Sequence, residues 1–259
     1  MTDYDLTDFF SPEELDKRNF QDVLDADERT REELVEDSFD SKGLEVFNDI
    51  RALYSTLNMV NTNFALLTKK RDEFMSHDAL YWMKKSGDEM QKFFREYMRL
   101  LHNYAASVHT LISHSYTFLD RYEDEKPNLK PEYFEEIGSR DLETKVNLIK
   151  QIRHYTQKNW TPPLSANISP TMNEDEKDEL YLFLKRDEML EWNGWDSDVR
   201  EFLKSLDEDI LITELAEEYQ EEMNDFYDWF RMFTLSEFYD EIMEYVTAQI
   251  ILEDRHSHD

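Results

Sequence analysis

Cysteine is absent from this 259-residue chain, which removes thiol catalysis, disulfide scaffolding and Cys-type zinc sites together. Turn formers are scarce as well. With 4 Gly and 6 Pro the chain has too few for a β-sandwich or a doubly wound sheet, so long helices are expected. No G-x-G-x-x-G or Walker loop occurs, which leaves a nucleotide cofactor without its usual backbone cradle. No run of about 18 apolar residues exists, and the start M-T-D-Y-D-L-T-D-F-F-S-P-E-E has neither a basic nor an apolar leader region. A cytoplasmic, non-membrane protein is the expectation.

Basic residues are the other shortage. Sixty Asp and Glu face 29 Lys and Arg, a net charge of −31, which opposes non-specific binding to nucleic acid or to an anionic membrane. The imbalance is uneven. Residues 1–68 carry 17 acids and 6 bases, residues 159–259 carry 28 and 7, but residues 69–158 carry 15 and 16 and hold five of the seven His. A basic face can arise only in this middle third. Such acidity also suits a high-salt interior, although 15 Lys stand beside 14 Arg, so Lys is not depleted as that adaptation favours.

What is present is core material: 40% apolar residues and 14% aromatics, ample for one large domain. The fold class expected is mainly α, a bundle of long antiparallel helices with a β-hairpin at about 163–184 and a long C-terminal helix. Residues 1–40 read as an acidic N-terminal extension, with a helix start at Ser11-Pro12-Glu13-Glu14. Residues 41–255 read as a single bundle domain. Apolar residues from Leu44 through Leu67 recur at steps of three and four, and so do those from about Asp78 to Arg121, where Gly87 is a candidate interruption. A third such stretch runs from Lys130-Pro131 to Trp160. After the hairpin, Asp187 caps a short helix that Asn193-Gly194 breaks, and helices of about 196–206 and 211–252 follow.

Metal-like patterns fail on their residues, and no metal or cofactor is expected. Asp25-x-Asp27 with Glu33 and Glu36 has calcium-loop spacings, but Arg29 and Arg31 stand where oxygen ligands belong and Thr30 where the tight turn wants Gly. His256-Ser257-His258 lies in a polar tail. Glu217, Glu218, Glu221, Glu222 and Asp225 form a solvated face, with nothing to push their pKa values apart.

The histidines carry more. Metal-independent cleavage of RNA needs a base for the 2′-hydroxyl proton and a cation for the phosphate, and His with Arg supplies both. Arg71-x5-His77 and Arg95-x6-His102 have that spacing, the second pair lying inside one long helix. The segment I-R-H-Y-T-Q-K-N-W-T-P-P-L-S, from Ile152, has Arg153 and, five positions on, Lys158.

The stretch from Leu142 to Ser165, together with K-R-D-E-M-L-E-W-N-G-W and the later F-Y-D-W-F, resembles a group of bacterial and archaeal helical proteins similar to the HEPN superfamily. That superfamily comprises helical-bundle ribonucleases and RNA-binding proteins of toxin–antitoxin, CRISPR and anti-phage systems, and the resemblance spans roughly residues 45–235. It implies that Arg153 is the motif arginine, that Tyr155 and Gln157 match, and that Lys158 stands in the place of the motif histidine. An ordinary Lys is neutral in only about one molecule in two thousand at pH 7, so the expected role shifts from catalysis to phosphate binding by Arg153, His154, Gln157 and Lys158. Two substitutes for the base are His154 itself, and His102 or His109 brought up by a homodimer. The alternative reading is a non-enzymatic acidic scaffold whose aromatic final helix meets a cationic protein partner. Under it Arg153, His154, Lys150 and Lys158 only complement the negative end of their helix dipole.

Overall fold

The structure, a computed structural model, describes residues 29–39, 41–140, 142–158, 162–171 and 177–257. The helix expected from Ser11, the Asp25-x-Asp27 pattern, Trp160, the hairpin tip and His258 lie outside them. The fold is mainly α. Ten helices are described: α1 (Arg31–Phe39), α2 (Lys42–Met75), α3 (Ala79–Met83), α4 (Gly87–Tyr122), α5 (Leu129–Ser139), α6 (Leu142–Lys158), α7 (Arg186–Leu190), α8 (Ser197–Ser205), α9 (Ile212–Glu237) and α10 (Tyr239–Ser257). Two strands, β1 (Leu164–Ser169) and β2 (Glu179–Leu184), stand between α6 and α7.

Helix starts are fixed by side chains that satisfy the first backbone N–H groups. At α1, Thr30 Oγ1 accepts from Glu33 N while Glu33 Oε2 accepts from Thr30 N at 2.6 Å, so Glu33 closes a capping box and not a calcium loop. The expected helix over 78–121 is two helices. Asp78 caps α3 by accepting from Tyr81 N, and Ser86 with Glu89 forms a second capping box that starts α4. Similarly, the stretch from Lys130 divides into α5 and α6, and the final stretch divides at Phe238 into α9 and α10. The short helix after β2 has Lys185, and not Asp187, at its N-cap.

The hairpin is antiparallel, with Leu164 opposite Leu184 and Ser169 opposite Glu179. Leu180, Leu182 and Leu184 are buried while Glu179 and Tyr181 are exposed, the two-residue period of a strand with one face on a core. Asp178 ties its loop end to α3, accepting from Ala79 N at 2.7 Å and Thr171 N at 2.9 Å.

Residue contacts gather the chain into two units. In Met1–Asn48 with Phe238–Asp259, Leu34, Ala248 and Ile251 form a small core. Gly43 lies so close to α10 that an added Cβ would fall 2.0 Å from the Glu241 carbonyl oxygen, a helix approach only Gly permits. In Asp49–Glu237, α2 and α4 run antiparallel: Asp49 accepts from Tyr122 Oη at one end, and Lys70 Nζ lies 4.6 Å from the Phe93 ring centre at the other. By contrast, α9 follows α4 in the same direction, pairing Thr213 with Tyr97 and Tyr227 with Ser115. Tyr97, Tyr104, Tyr133 and Tyr219 are fully buried between these helices, each contributing roughly 2 kcal/mol of apolar burial. Among the described residues, no helix is long and apolar enough to cross a membrane.

Candidate functional site

The site forms where α6 lies against α4. One face of α6, made of Leu148, Ile149, Ile152 and Tyr155, is buried. The opposite face carries Lys150, Arg153 and His154, half-buried, and Gln157 and Lys158, exposed. Two contacts set this rotation of the helix. Gln151 Nε2 donates to Asp196 Oδ2 at 2.5 Å while its Oε1 accepts from Asp196 N at 2.9 Å. Tyr155 stacks on Trp195 with ring centres 5.5 Å apart and meets Trp192 edge-on. The N-G-W segment makes this clamp possible, because a Cβ on Gly194 would fall 2.3 Å from the Trp192 ring.

With that face turned outward, α4 supplies the imidazoles. His102 Nδ1 lies 2.7 Å from Thr156 Oγ1, and the His109 and His154 rings meet edge to face at 6.3 Å. The pairing of 102 with 156 and of 109 with 154 shows that the two helices are antiparallel. His102 and His109 therefore reach the Arg153 helix within a single chain, and no second copy is needed to bring them there.

Hydrogen bonding fixes one tautomer. The Thr156 hydroxyl gives its only hydrogen to the Arg153 carbonyl at 2.7 Å, so toward His102 it accepts. In the neutral ring Nδ1 then carries the proton and Nε2 the lone pair. At His109, burial and then the positive fields of Arg153, Lys150 and His154 push the pKa below the usual histidine value, which favours the neutral ring. The face thus brings the cations Lys150, Arg153 and Lys158 together with the imidazoles of His102, His109 and His154.

The helix stretches that meet here bring no acid with them. Residues 97–119 and 144–173 contain no Asp or Glu, and α4 and α6 meet along parts of these two runs. Among the described residues, Lys150, Arg153 and Lys158 have no ion pair. Lys158 sits in the last turn of α6, where a cation also complements the helix dipole.

The other candidates separate. Arg71 is held by Glu217 at 2.5 Å and by Asp72, and His77 stacks on Tyr81 at 3.8 Å, so that pair is structural. Arg95 and His102 share a face of α4 but lie about 10 Å apart along its axis. Arg95 instead lines a groove at the start of α4. Thr156, which orients His102, was not singled out by motif spacing. The acid-free runs are the signal that marks its helix.

Comparison of the chain with protein families, with curated proteins and with solved structures gives no match.

Proposed function

We propose that this chain is a HEPN-like RNA-binding protein of RNA metabolism or defence, with weak or absent ribonuclease activity. The observation that carries the reading is the antiparallel packing of two helices along stretches that contain no acid, residues 97–119 of α4 and 144–158 of α6. It places Arg153, Lys150 and Lys158 beside His102, His109 and His154 in a chain whose net charge is −31. A phosphate backbone is the ligand for which such a face is suited, since each neutralised phosphate releases counterions. Binding is favoured over cleavage because the place of the motif histidine is taken by Lys158, exposed at the helix end, and Lys is a phosphate ligand by type where cleavage calls for an imidazole.

The test is RNA binding measured against salt. Arg153→Ala is expected to weaken binding about tenfold and to reduce the slope of log K against log salt by about 0.7 for a single strand. Lys158→His is expected to gain RNA cleavage that Arg153→Ala then abolishes. Wild-type protein that binds no RNA at low salt would overturn the proposal.

The scaffold reading has one observation of its own. Trp229 and Phe233 stack at 5.3 Å with an interplanar angle of 7°, beside Met232, which is 54% exposed. Loss of the RNA reading would leave this aromatic strip and a cationic protein partner as the basis of function.

A further inference from the structure

Along α4 the positions Lys92, Arg95, Arg99, His102, Ala106 and His109 follow one another at steps of three, four, three, four and three. That spacing puts them on one helix face. The first three are exposed and the rest half-buried, so the stripe borders solvent over its whole length, about 25 Å at 1.5 Å per residue. Its His109 end is the site described above, where α6 adds Arg153 and Lys150.

The other end opens into a groove of about 590 Å³, where Lys70, Lys85, Lys92, Arg95 and Arg99 face three carboxylates. Each carboxylate already has a base: Glu73 holds Lys70 at 2.7 Å, Glu89 holds Lys85 at 3.0 Å and Glu96 holds Arg99 at 2.7 Å. Among the described residues, Lys92 and Arg95 have no ion pair. The floor is apolar, with Trp82 and Phe93 each 6% exposed, and the Lys70 and Lys85 ammonium groups lie 4.6 and 4.7 Å above the Phe93 and Tyr81 rings. These ring contacts hold two of the cations at the groove wall.

We infer that the groove is a second phosphate-binding site, joined to the α4–α6 face by the α4 stripe, and that the ligand spanning both is an unpaired strand of about seven nucleotides or more. The length follows from the 25 Å path and about 3.4 Å per stacked nucleotide. The unpaired state follows from the shape of the charge. The cations follow the length of α4, with flanking additions from α2, the α3–α4 turn and α6, within a strongly acidic molecule, so a duplex would set its second strand of phosphates over carboxylates, whereas a single strand keeps to the path. The inference rests on the RNA reading and adds to it the strandedness, the minimum length and the residues that set them.

Binding of single-stranded RNAs of about 4 and about 12 nucleotides, and of a 12-base-pair duplex, tests it. Wild type should bind the longer strand more tightly than the shorter and more tightly than the duplex. The double variant Lys92→Gln with Arg95→Gln, at exposed helix positions that tolerate Gln, should lose that length advantage. It should also lower the salt slope for the longer strand by about 1.4, two phosphate contacts. Single Lys92→Gln and Arg95→Gln variants should each give about half that change. An undiminished length advantage in the double variant, with Arg153→Ala still weakening binding, would overturn the extended path and leave the α4–α6 reading intact. Duplex binding as tight as single-strand binding would overturn the assignment of strandedness. Absence of all RNA binding would remove both.

Discussion

His109 is the residue where local chemistry is most sharply defined. Burial, and then the positive fields of Arg153, Lys150 and His154 across the helix contact, disfavour its protonated form, so its folded-state pKa is lower than in the unfolded chain. The sign follows directly. As pH falls through the ordinary histidine range near 6.5, the unfolded chain takes the proton first, and the His109 contribution to stability drops. A phosphate on the face acts in the opposite sense, because it favours the protonated ring. RNA affinity is therefore expected to rise between pH 7.5 and pH 5.5, with His109→Gln showing a smaller rise and a smaller acid loss of stability. Equal pH profiles for variant and wild type, in binding titrations and urea melts, would count against the placement of His109 in the site. His102 differs because Thr156 sets its tautomer. No motif spacing could report that bond, since its partners are 54 positions apart.

Among the elements, α6 is held by what lies beyond it in sequence. The Trp192–Trp195 pair, with ring centres 4.7 Å apart, encloses Tyr155, and Asp196 binds Gln151 from the same turn. Gly194→Ala should force Trp192 away from this arrangement, costing about 1–3 kcal/mol by overpacking. It should weaken RNA binding although no cation is removed. Tryptophan fluorescence and urea unfolding would record the loss. Unchanged stability would show that the turn has room the geometry denies. The amphipathic periods marked the long helices and the hairpin, because burial on one side repeats at 3.6 or 2 residues. The breaks were less legible. Ser86 and Glu89 compete with helix continuation through two reciprocal hydrogen bonds, whereas a hydropathy stripe passes across such a cap unaltered. Gly87, the candidate interruption, is the residue just inside the new helix.

For the whole molecule, the relevant quantity is where the acids are missing. The near-neutral middle third was visible in the sequence, and it contains every base placed on the α4 stripe and on α6. What composition could not give is the pairing of 97–119 with 144–158, which depends on tertiary packing through Leu148, Ile149, Ile152 and Tyr155. That packing joins two acid-free segments, carrying one and four bases, into one electropositive face. The groove at the start of α4 was likewise hidden, because its cations come from α2, the α3–α4 turn and α4 and are interleaved in sequence with Glu73, Glu89 and Glu96. Charge segregation of this kind reconciles a net −31 with a polyanionic ligand, provided that the ligand stays on the face. Photo-crosslinking of a 4-thiouridine-labelled single-stranded RNA, followed by peptide mapping, tests this most directly. The account predicts crosslinks within residues 92–113 and 150–158. Crosslinks confined to the aromatic strip of α9 around Trp229, or none at low salt, would contradict it.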